Sequence, residues 1–434
     1  MTHVETSGSR VLTVRTLARV EGEGGMSVHI QDGEVRDVRL RIFEPPRFFE
    51  ALLRGRAYTE PPDITARICG ICPVAYQMSA CLAIEDACGV TVPDEIRRLR
   101  RLLYCGEWIE SHALHIFFLH APDLLGYDSA IEMARDHREL VESALRMKRA
   151  GNDLMTAVGG RAVHPVNVRI GGFHRLPTRD ELAALRPGLV AAREEAIAAV
   201  PVVAGLAFPD FEQPYLYVSL SSADGYPMES GSLVTSTGLA APVRAFGEHV
   251  VEQQVAHSSA LHSTFDGELY VVGPLARYSL NYSSLAPLAR ECAEAAGLGP
   301  TCRNPFRSIV VRAVELVHAL DEAIRIIDEW HGAPVAAVPV PARAGEGHGA
   351  TEAPRGVLYH RYRIDEAGVI LHAQITPPTA QNQSAIEADL RAFVQANLHL
   401  SHEELTHQCE IAIRAYDPCI SCATHFLDLD VEHR

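Results

Sequence analysis

The chain of 434 residues carries 39 Lys and Arg against 55 Asp and Glu, a formal net charge of −16, with 47% apolar and 22% charged residues. That balance belongs to a folded globular protein, and the acidic excess argues against a nucleic-acid or anionic-membrane binder, because phosphate binding needs a basic face. No run of about 18 uncharged apolar residues occurs, so no bilayer span is expected. The stretch from Met1 to Arg19 has neither an apolar core nor paired arginines, which predicts no secretory signal there.

In chain order, Met26–Ile30 and Val35–Leu40 flank Asp32-Gly33, a dipeptide suited to a tight hairpin because both residues tolerate positive φ. From about Arg97 the apolar spacing turns helical, through Leu102, Leu103, Trp108, Ile109 and Leu114. A second helical run is expected from Ile131 to Val158, and a third from Phe306 to Trp330. Capping boxes at Thr178 with Glu181, Ser384 with Glu387, and Ser401 with Glu404 predict three helix starts. The Gly- and Pro-rich stretch from Gly332 to Gly356 predicts a long irregular segment, of the kind that is often functional. A second hairpin is expected at Glu366-Ala367-Gly368, between Leu358–Ile364 and Val369–Ile375. The fold class is therefore α+β and mainly helical, with a small antiparallel sheet near the N-terminus and no internal repeat.

Ten cysteines are the unusual feature, and four of them form Cys69-Gly-Ile-Cys72 and Cys419-Ile-Ser-Cys422. Two CxxC pairs can offer four thiolates to one metal, and zinc, a redox dithiol, or an iron or nickel site all fit that arrangement. Spacing weakens zinc, since zinc ribbons close over roughly 15–20 residues, whereas these pairs stand at opposite ends of the chain. The other six, Cys81, Cys88, Cys105, Cys292, Cys302 and Cys409, have neither disulfide-framework nor iron–sulfur spacing. They read as buried small hydrophobes.

The flanking residues narrow the reading. Arg67-Ile-Cys-Gly-Ile-Cys72 and Asp417-Pro-Cys-Ile-Ser-Cys-Ala-Thr-His425 together resemble the two signatures, RxCGxC and DPCxxCxxH, of the large catalytic subunit of [NiFe] hydrogenases. Between them, Arg19-Val-Glu21-Gly22, Glu50 with Leu53-Arg54-Gly55-Arg56, His164-Pro165, Gly171-Gly172, and Ala353-Pro354-Arg355-Gly356 with His360 continue the resemblance over nearly the whole chain. It implies that family's fold, with a central helix bundle, as one unit over residues 1–425. It also implies reversible heterolytic cleavage of H2.

The resemblance further implies nickel on Cys69, Cys72, Cys419 and Cys422, with Cys72 and Cys422 bridging to an iron that carries carbon monoxide and cyanide. Cys419 matches the thiolate that takes the proton, and Glu21 the carboxylate that relays it. Arg355 resembles an arginine poised over the metals, and Asp417 would orient that arginine or the adjacent thiolate. Glu50, the carbonyl of Gln374 and His425 correspond to magnesium ligands. His112 and His115 match histidines near the site, in packing or proton transfer. Two positions depart from many relatives: Ser111 stands in place of an aspartate and Tyr76 in place of a histidine.

No iron–sulfur cluster is expected in this chain, so electrons would leave through a small iron–sulfur subunit. A flavin NAD(P)-binding subunit and a further iron–sulfur subunit are implied for a cytoplasmic, bidirectional, NAD(P)-linked heterotetramer of the sulfhydrogenase type. The alternatives are a diaphorase-linked NAD-reducing and a deazaflavin-reducing enzyme. The relative in respiratory complex I has lost the metal thiolates, which all stand here. Residues 426–434 resemble a C-terminal propeptide removed by a maturation endopeptidase after nickel-insertion proteins have acted.

Overall fold

A computed structural model describes residues 9–424. The N-terminal sheet is antiparallel, with β1 (Ser9–Val14), β2 (Gly24–Gln31) and β3 (Glu34–Ile42) in sequential order. The expected turn joins β2 to β3: Gln31 pairs with Glu34, and Asp32 and Gly33 take φ of 54° and 77°. Val38, Leu40 and Ile42 alternate into the core, and a register shift between Val35 and Asp37 brings Val35 to the same face.

The helical body comprises α1 (Pro73–Cys88), α2 (Asp94–Leu114), α3 (Arg138–Gly159), α4 (Arg186–Ala204) and, later in the chain, α5 (Ser308–Asp328). Helix α2 packs on α3 and α5, and α4 on α3 and α5, closing a four-helix ring. Helices α2 and α5 are buried nearly all round, and they carry charged residues such as Arg100, Glu107, Arg312 and Glu315 into the interior alongside their apolar ones. A π-helical turn, His115–His120, continues α2 and carries His115 and His120 into the interior.

The run expected from Ile131 to Val158 is broken. Ser129 caps a one-turn helix, Ala130–Met133, and α3 starts afresh at Arg138 after Asp136 is drawn to the Tyr127 hydroxyl.

Between α4 and α5 lie short strands that the sequence reading did not anticipate. They are β4 (Leu216–Ser221), β5 (Ser232–Thr235), β6 (Val250–Gln253), β7 (His262–Phe265) and β8 (Tyr270–Val271). β4 pairs antiparallel with β5 and parallel with β8, while β6 and β7 form their own hairpin.

The segment from Gly332 to Gly356 is irregular only in its first half. Its second half is β9 (Gly345–Ala353), which pairs antiparallel with β10 (Gly356–Ile364), itself paired with β11 (Ile370–Thr376). Its glycines alternate along the strand and face the backbone of α1. A Cβ on Gly347 would lie 2.0 Å from the Ala83 carbonyl oxygen, and one on Gly349 2.3 Å from that of Ser79. What reads as loop composition is a strand laid directly on a helix.

The chain ends in α6 (Pro378–Ala396), α7 (His402–Ala415) and a final helical turn, Ile420–Ala423. The boxes at Thr178 and Ser401 cap their helices as expected. Ser384 starts no helix. It lies inside α6, which begins at Pro378, and Glu387 receives the backbone N–H of Leu40 in β3. The six remaining cysteines are buried, and burial pushes the thiols of Cys81 and Cys409 up to about 12 and that of Cys302 to about 11. Among the described residues, no helix is long and apolar enough to cross a membrane.

Candidate metal centre

The two CxxC pairs meet in the interior, with all four sulfur atoms within 4.8 Å of one another. Cys69 lies 3.5 Å from Cys419, Cys72 lies 3.7 Å from Cys422, and Cys419 lies 2.6 Å from Cys422. Local structure aims them. Cys69 follows a 3-10 turn, and its sulfur accepts the N–H groups of Ile71 and Cys72 as the loop wraps it. Cys72 precedes α1, whose first amides, Val74 and Ala75, donate to the fully buried Glu107 of α2. On the other side the N–H of Cys419 donates to Thr379 at the start of α6.

The C-terminal segment is held against the N-terminal one. Ile420 donates to the Glu21 carbonyl at 2.9 Å, and the Glu21 carboxylate accepts the Ser421 N–H at 3.0 Å. The same carboxylate oxygen stands 3.1 Å from Cys419 Sγ. The Ser421 hydroxyl donates to Glu44 at 2.7 Å. Gly22 leaves the space for that second carboxylate: a Cβ there would lie 2.6 Å from Glu44 Oε2, and φ is 88°. Arg47 donates to the carbonyls of Ile68 and Ser421, tying both cysteine loops together.

Electrostatics at the cluster demand a cation. Burial pushes the thiols of Cys419 and Cys422 above the usual range, reinforced at Cys419 by the other three cysteines and opposed at Cys422 by its hydrogen bonds with Cys419 and Cys72. Hydrogen bonds from Cys419, Cys422 and Cys72, with the charge of Arg355, hold Cys69 below it. Four thiolates in one dry site can ionise together only around a metal, and an all-sulfur donor set suits a soft one.

Arg355 comes from the turn between β9 and β10. Its Nε donates to the Asp417 carbonyl at 2.8 Å, and a terminal nitrogen to the Asp417 carboxylate at 3.1 Å. Burial opposes its charge, but Asp417 and the cluster thiols outweigh that and raise its pKa. Its other terminal nitrogen, Nη1, is buried with no hydrogen-bond partner among the described residues. Asp417, at φ 53° ahead of Pro418, thus meets both Arg355 and the cysteine turn. Burial pushes the Asp417 carboxyl up, against the pull of Arg355 and Arg312.

Behind Arg355 lies a fully buried charge network. Arg277 pairs with Glu315 at 2.7 Å and Glu352 at 2.9 Å, donates to the carbonyls of Ala353 and Pro354, and stacks 4.1 Å from the Trp108 ring. His112 Nε2 lies 3.1 Å from Glu315, and the His115 ring nitrogen 2.8 Å from the Arg414 carbonyl oxygen. Burial lowers both imidazoles, which favours the neutral rings. Tyr76 is buried beside the His360 ring, and burial together with the charges of Cys422 and Cys72 raises its phenol. The Ser111 hydroxyl is buried with no partner among the described residues.

Glu50 accepts the backbone N–H of Ile375 at 2.6 Å, adjacent to Gln374 in sequence. The Gln374 side chain instead approaches Glu252, which Thr376 also meets at 2.8 Å, and burial pushes Glu252 up to about 7. His425 lies outside the described residues. Sequence reasoning missed Glu44, Arg47, Thr379, Glu252 and the Arg277 network. Each is a lone polar residue in ordinary local surroundings, and only long-range contact gives it a place here.

The chain resembles known proteins over nearly its whole length. The family model described as nickel-dependent hydrogenase matches residues 47–143 and 243–425. The alpha subunit of sulfhydrogenase 1 from Pyrococcus furiosus is 35% identical, over 96% of this chain and 98% of its own. The beta subunit of an NAD-reducing hydrogenase from Cupriavidus necator is 30% identical, over 96% and 95%. A crystal structure of an NAD+-reducing [NiFe] hydrogenase in the H2-reduced state superposes with a TM-score of 0.86 at 28% identity, covering 96% of this chain and 100% of that one. With its thiolate cluster and these matches, the chain belongs to the nickel-dependent hydrogenase family, as a large subunit.

Proposed function

We propose that the chain is the catalytic subunit of a cytoplasmic hydrogenase that cleaves H2 reversibly and exchanges the electrons with NAD(P)+ through partner iron–sulfur and flavin subunits. The observation that carries this is the convergence of Cys69, Cys72, Cys419 and Cys422 beneath the unpartnered nitrogen of Arg355. These thiolates would hold nickel, with Cys72 and Cys422 shared with an iron bearing carbon monoxide and cyanide. That centre supplies the electron-rich metal at which H2 is polarised and split.

The chain's own residues handle the proton. Cys419 Sγ is the base, and Glu21, at hydrogen-bonding distance, is the first acceptor beyond it. Glu44, joined to the same Ser421 and partly open to solvent, is the exit. Arg355 cannot surrender its proton near neutral pH, so it directs positive charge to the site without competing as a base. Asp417 fixes it by two contacts. His112 and His115, buried and hydrogen-bonded or paired, position this region. Glu50, with the carbonyl of Gln374 and with His425, is assigned to magnesium; the proximity of Glu50 to residue 375 supports that placement. A main apolar core that draws on residues from Leu12 to Ala423, beside a smaller cluster around Val218, Phe246 and Tyr359, supports reading residues 1–425 as one unit.

Purified complex should contain about one nickel per copy of this chain, show infrared bands of metal-bound carbon monoxide and cyanide, and reduce NAD+ or NADP+ with H2. Zinc in place of nickel, without those bands, overturns the assignment. Intact mass of the active subunit should end at His425. Retention of residues 426–434 would remove the propeptide from the scheme.

A further inference from the structure

A second group of metal-ligating side chains stands apart from the cysteines. His257, in the connection between β6 and β7, His262, the first residue of β7, and Glu387 of α6 bring one ligand atom each within 4.8 Å of the others. His257 Nε2 lies 2.8 Å from Glu387 Oε1, and the two imidazole rings stand 5.5 Å apart at 89°.

An ion pair between His257 and Glu387 accounts for two of the three residues and leaves His262 unexplained. His262 is only 3% exposed, and its Nε2 has no hydrogen-bond partner among the described residues. Its Nδ1 faces the Ser384 hydroxyl at 3.3 Å, one helical turn before Glu387. A hydrogen bond there fixes the ring and leaves Nε2 as the atom presented to the group, the outer-shell arrangement typical of a metal-bound histidine. Glu387 is held in the same way, accepting the N–H of Leu40 at 2.7 Å. Burial and the neighbouring His257 push His262 down to about 4, which keeps the ring in the neutral, ligating form.

We propose that His257, His262 and Glu387 bind one divalent first-row transition ion of the zinc type. Two imidazole nitrogens and one carboxylate suit that class, with solvent completing the coordination, and offer too few oxygens for calcium or magnesium. A route in exists, because His257 borders a surface cleft of about 540 Å³ lined by residues 254–259 and Ile42. The site is distinct from the cysteine centre. On α6 it lies two turns beyond Thr379, which meets Cys419, a rise of about 12 Å along the helix. An ion here would clamp β7 and the β6–β7 connection to α6. The proposal does not depend on what the cysteines hold.

The test uses intact complex, treated with chelator and then titrated with Co2+ as a spectroscopic probe. One added equivalent should bind, give a spectrum without thiolate-to-cobalt charge transfer, and be displaced by Zn2+. In His262→Gln and Glu387→Gln its affinity should fall by more than about 100-fold, beyond the loss of an outer-shell partner, while hydrogenase activity reports that the fold is intact. His257→Gln, partly exposed, gives the same reading if a buried substitution fails to fold. Absence of an added equivalent, thiolate bands, or unchanged affinity in the variants would each overturn the proposal.

Discussion

Glu21→Gln is expected to lower H2 turnover by roughly 10²–10⁴-fold, the usual worth of a positioned acid–base group, while nickel and iron contents stay unchanged. Glutamine matches the shape and can still accept the Ser421 N–H that Glu21 accepts at 3.0 Å. It cannot carry the proton from Cys419 Sγ, 3.1 Å away. Isotope exchange between H2 and D2O isolates this step from electron transfer and should fall in parallel, with Glu21→Asp intermediate between the wild type and Gln. Loss of metal in Glu21→Gln would make the residue structural instead. Exchange near the wild-type rate would take Glu21 out of the proton route.

The second large effect concerns stability. Arg277→Met should destabilise the protein by about 3–5 kcal/mol, the cost of leaving buried charges without their partner. Both Glu315 and Glu352 lose their ion pair in that variant. In the wild type Arg277 overcomes burial to hold Glu315 down at about 2, whereas burial keeps Glu352 up at about 7. Glu315 therefore stabilises the fold above its unfolded pKa, and that contribution is lost as pH falls towards 2. Glu352, raised on folding, costs stability as pH climbs from the ordinary glutamate range through about 7.

Without Arg277 both carboxyls move upward, so the folded state holds more protons than the unfolded one. The variant's deficit should be larger at pH 8 than at pH 5 in denaturant unfolding. A deficit below about 1 kcal/mol, or one independent of pH, would show that the network is not a charge-balanced unit. Arg277 also holds the carbonyls of Ala353 and Pro354, just before Arg355, so the variant should lose activity at temperatures where it remains folded.

What was legible in the sequence is what depends on near neighbours. Asp32-Gly33 forms its turn because both residues adopt positive φ, and Thr178 and Ser401 cap because their glutamates are three residues away. The same spacing misleads at Ser384, where the helix start is set by Pro377-Pro378 and Glu387 is engaged by a strand some 350 residues earlier in the chain. Glycine composition concealed β9, because alternation along a strand against a helix backbone looks like a loop until the helix is in place. The cysteines, Glu21 and Arg355, which the structure brings together, were legible as candidates because each sits in a dense local motif. Glu44, Thr379 and Arg277 act through contacts across tens to hundreds of residues, which no local pattern encodes.

The meeting of the chain's two ends at the cysteines has a consequence for polymer entropy. Cys69 with Cys419, and Cys72 with Cys422, are each separated by 350 residues. A cation gripping both pairs would close a loop of that size, which in the chain-entropy model removes about 6 kcal/mol of disorder from the unfolded ensemble. That is comparable with the whole net stability of many domains. The N-terminal segment outside that loop is tied to its closing end, because the segment around Glu21 lies beside the segment around Cys419. Loading the metal would therefore act on residues 69–419 as a long-range cross-link acts on a smaller chain, by removing disorder from the unfolded state between its two anchor points.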